Sequence, residues 1–148
     1  MSLVFLVVDD NDADRSAALR QLERSYPQAT LLQAAGADPA MSLLEERRLV
    51  PSLVLLDYAM PGANGLDFLN DLRHARWLER VPVAVLSEPI ADRLVVQCYR
   101  LGACEFLTKP LRTFELRQCV RDFARPAEQM ASATLVPPSG GGARVSAA

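Results

Sequence analysis

Three short apolar runs punctuate the chain, and each ends on a polar residue. Leu3-Val4-Phe5-Leu6-Val7-Val8 stops at Asp9-Asp10, Leu53-Val54-Leu55-Leu56 at Asp57, and Val81-Pro82-Val83-Ala84-Val85-Leu86 at Ser87. Continuous β-branched runs without alternation read as strands covered on both faces, as in a parallel sheet. Between them lie helical patterns, over Asp12–Ser25 with Asn11 or Asp12 as cap, and over Leu66–Ala75. A weaker run, Ala29–Ala34, reads as the second strand, and Pro39–Leu49 after Asp38 as the second helix. The turn-rich stretch Met60–Gly65 leads into helix three. Ile90–Leu101 reads as helix four, Glu105–Thr108 as strand five and Thr113–Phe123 as helix five; Pro82 is expected among the first residues of strand four. Alternating strands and helices point to right-handed βαβ units, an α/β architecture. Ligands of such a sheet collect beyond the carboxyl ends of its strands, which is where every polar residue just named should lie.

From about residue 126 the character changes. Pro126, Pro137-Pro138 and Gly140-Gly141-Gly142 sit among small residues with no period that would bury a face. Residues 1–125 are therefore expected to form one domain, and 126–148 a flexible linker or disordered tail. The formal net charge of −2 argues against a general nucleic-acid surface. No segment approaches membrane-spanning length, and the first apolar run is too short and too quickly acidic for a signal peptide. Cys98, Cys104 and Cys119 are odd in number, without Cys-x-x-Cys spacing, and read as reduced cysteines of a cytoplasmic protein. His74 receives no role, and Trp77 is expected to pack where helix three ends.

Composition adds one sharper signal. Fifteen arginines and a single lysine carry the positive charge, and the lysine, Lys109, directly precedes Pro110. Where Lys alone survives, a compact ammonium on a flexible stem is called for rather than a planar fork. Asp9, Asp10, Asp57, Ser87 and Lys109 then form a chemical set. Gathered carboxylates repel one another unless a cation intervenes, and hard oxygen donors with room for water suit Mg²⁺. With a metal in place, one carboxylate can be nucleophile towards a phosphoryl group, giving an aspartyl phosphate. Lys109 and the Ser87 hydroxyl would take phosphoryl oxygens. The middle strand makes Asp57 the nucleophile.

At these residues the chain resembles the receiver domain of two-component response regulators. The matching pieces are Val8-Asp9-Asp10, Leu56-Asp57-Tyr58-Ala59-Met60-Pro61 with Gly65, Leu86-Ser87, and Gly102-Ala103 through Phe106 to Lys109-Pro110, in the family's order over residues 2 to about 124. The resemblance implies a doubly wound (βα)₅, flavodoxin-like fold with a five-stranded parallel sheet in the order 2-1-3-4-5. It implies Asp57 as phosphoacceptor, Mg²⁺ held by Asp9, Asp10, Asp57 and the backbone carbonyl of Ala59, and a cis Lys109–Pro110 bond. Partners would be a histidine kinase or phosphotransfer protein as donor and a downstream output domain or protein as reader, with no nucleic acid or membrane bound by this domain. The implied switch draws Ser87 inward and rotates Phe106, altering the face of helix four, strand five and helix five. A homodimer could use that face, where Val96 and Tyr99 are expected to be exposed. The protein would be a signalling phosphoacceptor, catalysing only its own phosphorylation and dephosphorylation.

Two departures from the family pattern modify this expectation. Glu88 stands after Ser87, where the family has a small residue, and would repel a phosphoryl dianion or narrow its entrance. Ala59 and Pro89 are apolar where the family often places groups that position a hydrolytic water, so loss of the phosphoryl group should be slow. Glu88 also keeps open a degenerate receiver, used only as an interaction module. A dehalogenase-like hydrolase would want a carboxylate where Ala59 stands, and nucleotide-binding folds a Gly-rich loop after strand one.

Overall fold

The structure is a computed structural model that describes residues 2–61 and 65–129. Five strands form one sheet: β1 (Val4–Val8), β2 (Thr30–Ala34), β3 (Leu53–Asp57), β4 (Val83–Ser87) and β5 (Glu105–Thr108). They pair in the order β2-β1-β3-β4-β5, every pairing parallel. The expected order therefore holds, as does the flavodoxin-like fold. Helices α1 (Asp12–Ser25), α2 (Ala37–Arg47), α3 (Gly65–His74), α4 (Asp92–Arg100) and α5 (Thr113–Phe123) connect the strands and follow the last.

The sheet explains why its strands read as unbroken apolar runs. Along β1, Val4, Leu6 and Val8 enter one core, while Phe5 and Val7 enter the other. The first core receives Ala40 and Leu44 of α2, Phe68, Leu69 and Leu72 of α3, and Cys98 of α4. The second receives Ala18 and Leu22 of α1, and Leu116, Cys119 and Val120 of α5. Burying one such side chain contributes about 1.5–3 kcal/mol, and both faces of the central strands gain it.

Boundaries move where turn chemistry competes with the apolar pattern. Helix α2 starts at Ala37 rather than Pro39, with Gly36 as its cap. Pro39 then falls within the first turn, where its missing N–H costs no helical bond. The same helix closes at Arg48 in the left-handed region, φ 53°, and so releases Leu49. Strand β4 begins at Val83; Pro82 lies just before it and its carbonyl accepts Val54 N–H at 2.9 Å. Asn11 caps α1, its side-chain oxygen accepting Asp14 N–H at 2.8 Å. Helix α4 starts at Asp92, with Ala91 as cap, and Trp77 packs partly buried in a 3₁₀ turn over Arg76–Leu78.

Leu49–Val50 pairs antiparallel with Glu128–Gln129, and Ala127 packs against the first core. The chain thus continues in contact with the domain past the expected boundary at 125; residues 130–148 of the expected tail, and Gly62–Asn64 of the loop before α3, lie outside the described residues. No described helix is long and apolar enough to cross a membrane.

Candidate functional site

Four polar or charged residues are buried among those described: Asp9, Ser52, Asp57 and Ser87. Ser52 is structural, its hydroxyl accepting Val4 N–H at 2.9 Å. The other three end strands β1, β3 and β4, so the fold places its costliest burials at one edge of the sheet. A buried carboxylate is tolerated only with partners. Asp9 has them: one oxygen accepts Asn11 N–H at 2.9 Å and the other faces Lys109 Nζ at 3.1 Å.

Lys109 joins the site from the end of β5. Its ammonium stands 3.1 Å from Asp9, 3.0 Å from Asp57 and 2.9 Å from Asp14. Burial would lower its pKa, but the hydrogen bonds to Asp14, Asp57 and Asp9 outweigh that and hold it above the usual lysine value. Burial pushes the Asp57 carboxyl up; the Lys109 hydrogen bond opposes the rise and neighbouring Asp9 adds to it. The peptide bond between Lys109 and Pro110 is cis.

Asp9, Asp10 and Asp57 each present a carboxylate oxygen, all within 4.8 Å of one another. Asp10 is exposed, which leaves open space on that side. Three hard anionic donors with a solvent-facing side fit Mg²⁺, an oxygen-seeking cation that keeps several waters. One ammonium among these carboxylates leaves a net negative site, so the donor set favours a cation.

The backbone behind Asp57 is equally constrained. Gly65 N–H donates to Tyr58 carbonyl at 2.9 Å, and a Cβ on Gly65 would come within 2.3 Å of the Asp57 carbonyl oxygen. Only a residue without a side chain lets α3 start that close to the phosphoacceptor candidate.

Ser87 is present at the rim, its hydroxyl donating to the Glu88 carbonyl at 2.6 Å. Glu88 is exposed and lines a cavity of about 240 Å³ together with Asp9, Asp14, Asp57 and Lys109. Ala59 and Pro89 are exposed on the loops after β3 and β4. Phe106 lies in β5, partly buried against the first core, and its N–H donates to the Tyr99 hydroxyl at 3.0 Å. On the same flank Val96 and Tyr99 of α4 are 46% and 44% exposed, and Phe114 of α5 is 75% exposed.

Sequence reasoning missed two contributors. Asp14 supplies the third carboxylate to Lys109; its signal was its place in the first turn of α1, just beyond the acidic pair. Arg15 fixes the loop after β1, donating to the Asp9 carbonyl at 2.7 Å, to Asp12 at 2.6 Å and to Gln33 at 2.9 Å.

Comparison with known proteins adds to this geometry. The family model of the response regulator receiver domain matches residues 5–121. The sensory/regulatory protein RpfC of Xanthomonas campestris pv. campestris is 33% identical over 133 residues, which are 88% of this chain but 18% of that protein. The two-component response regulator ORR6 of Oryza sativa subsp. japonica is 32% identical over 119 residues, 78% of this chain and 68% of that one. Among solved structures, a response regulator receiver protein from Pseudomonas putida superposes with a TM-score of 0.72 at 27% identity, covering 82% of this chain and 98% of that chain. The chain thus spans less than a fifth of one relative and about two thirds of the other.

Proposed function

The chain belongs to the response regulator receiver domain family, and from that premise we propose that it accepts a phosphoryl group on Asp57 from a histidine kinase or phosphotransfer protein in the cytoplasm. The observation that carries this reading is the convergence of Asp9, Asp57 and Lys109 at the ends of three separate strands, with contacts of 3.0–3.1 Å. An Asp57 carboxylate oxygen attacks phosphorus in line with the departing nitrogen of the donor, so the P–N bond breaks as the P–O bond forms. Lys109 is placed to hold one phosphoryl oxygen, and its contact with Asp57 is exchanged for that oxygen. The Ser87 hydroxyl holds another after leaving the Glu88 carbonyl. Asp9, Asp10, Asp57 and the Ala59 carbonyl would hold a Mg²⁺, which when bound would neutralise phosphoryl charge.

Movement of Ser87 then frees space towards Phe106. Rotation of Phe106 inward would alter the β5 edge that Tyr99 caps, and with it the flank bearing Val96 and Phe114. A downstream output domain or protein, or a second copy of the chain, reads that change. Such a switch is a two-state equilibrium biased by one new local charge.

Intact mass after incubation with Mg²⁺ and acetyl phosphate tests this. One added phosphoryl group, labile to base and absent from Asp57→Asn, is the expected result. Once the donor is removed the adduct should decay slowly, because Ala59 and Pro89 offer no side-chain group to position water. Transfer from a kinase but not from acetyl phosphate would assign Glu88 a gating role. Transfer from neither would leave the degenerate receiver, a phosphate-independent interaction module.

A further inference from the structure

Helix α1 turns one stripe towards the segment that follows β5. Asp14, Ala17, Ala18 and Gln21 keep the i, i+3, i+4, i+7 spacing of a single helix face, and all four line the cavity of about 240 Å³ that also holds Asp57 and Lys109. The helix and the segment are tied at two places. Lys109 Nζ donates to Asp14 at 2.9 Å, and the Gln21 side-chain nitrogen donates to the Leu111 carbonyl. Between these ties α1 presents only Ala17 and Ala18, too short to reach across. The gap is therefore a property of the α1 sequence, held open by a contact at each end.

The lining combines an apolar wall with two polar ends. Val7, Ala18, Leu55, Leu86 and Leu111 bring side chains of the second core to it. At one end stand Asp9, Asp14, Asp57 and Glu88, four carboxylates against the single ammonium of Lys109. At the other, Gln21 carries an orphan: its Oε1 is buried and accepts no hydrogen bond among the described residues. Exchanging the two amide atoms gives no relief, because the Leu111 carbonyl can only accept and so keeps the nitrogen facing it. A buried acceptor left unpaired is destabilising, and a donor lying in the cavity would pair it. An apolar wall with a few placed polar groups is the make-up of a small-molecule site.

We infer that this cavity binds a small primary amine with an apolar body and a neutral hydrogen-bond donor at its far end. The ammonium is drawn to the carboxylate excess, the body covers Val7, Leu55, Leu86 and Leu111, and the far donor pairs Gln21 Oε1. Seven residues of helix separate Asp14 from Gln21, about 10 Å along the axis, so the two polar ends of the ligand stand about that far apart. A carboxylate beside the ammonium would meet the same four anions, so an amine fits better than the amino acid of the same shape.

The experiment titrates the full chain, isotope-labelled and in chelator, with tyramine and follows its amide NMR signals. Tyramine joins an ammonium, an aromatic body and a phenolic hydroxyl. The expected result is saturable shifts of the Gln21 side-chain amide and of the Ala18 and Leu111 backbone amides. The analogue 2-phenylethylamine, without the hydroxyl, should bind about fivefold more weakly, the worth of one net hydrogen bond. Gln21→Leu should erase that difference while both amines still bind. Ala17→Leu, which fills the gap from an exposed helix position, should abolish binding of both while amides elsewhere keep their positions. Equal affinity of the two amines for the parent protein, an unchanged difference in Gln21→Leu, or shifts confined to Asp9, Asp10 and Asp57 would each overturn the inference. No phosphodonor is present in the titration, so this reading and phosphoryl uptake can each fail alone.

Discussion

Replacing the Lys109 ammonium by an apolar group of similar length would leave Asp9, Asp14 and Asp57 facing one another. Removing one partner from a buried ion pair costs about 3–5 kcal/mol, because the remaining charge stays uncompensated. Lys109→Met should therefore unfold at lower urea when a chelator is present, by about 3 kcal/mol, and lose clearly less when Mg²⁺ is supplied. Equal losses in both conditions would show that no cation shares the carboxylates. The geometry also explains why lysine stands here in a chain that otherwise uses arginine. Three carboxylates approach one nitrogen from separate strands and a helix, at 2.9–3.1 Å. A tetrahedral ammonium donates in three directions; a guanidinium presents a flat fork. At the rim, Glu88 lines the cavity it shares with Asp57 and Lys109, which the proposed phosphodonor would have to enter. Two like charges about 4 Å apart in water repel by about 1 kcal/mol, equal to about a fivefold rate. Glu88→Ala should speed uptake from acetyl phosphate by that order, read as the rate of mass gain, and an unchanged rate would clear Glu88 of gating.

Among the elements, the join between β3 and α3 is the least forgiving. Gly65→Ala would drive a methyl group into the Asp57 carbonyl oxygen, a contact of 2.3 Å with backbone that cannot rotate away. Overpacking of this kind costs about 1–3 kcal/mol, so the thermal midpoint should fall. An unshifted midpoint would mean that the α3 entry adjusts freely. Element order was legible because parallel strands buried on both faces must be apolar throughout, and β1, β3 and β4 each announced their carboxyl ends with a polar residue. Helix starts were less so. Pro39 marked the first turn of α2 but not its first residue, since any first-turn position spares the missing N–H. The buried role of Ser52 depends on Val4 N–H, 48 residues away, and no local pattern marks it. Asp14 escaped for the same reason, as α1 and the end of β5 must dock before it meets Lys109. Composition found Lys109 because scarcity of a residue type is visible without any fold.

At the scale of the molecule, the carboxylates, the exposed flank and the meeting point of Ser2 with Ala127 occupy three different places. The carboxylates sit beyond the carboxyl ends of the strands, and Val96, Tyr99 and Phe114 line one side. A cation bound only by the folded form stabilises it by mass action, about 2.7 kcal/mol at a hundredfold excess over the dissociation constant. Saturating Mg²⁺ should accordingly raise the melting temperature by several degrees, and Asp57→Asn should gain less; no shift in the parent protein would speak against a cation site. The first and last described segments meet at the opposite pole. Ala127 N–H donates to the Ser2 carbonyl at 3.2 Å, beside the short pairing of Leu49–Val50 with Glu128–Gln129. Ser2 and Ala127 thus stand side by side, and a host chain joined at these two points could carry the domain as it carries a surface loop, spliced in without parting its own flanks. Pulling the two strands apart would strain that pole first and leave the carboxylates undisturbed.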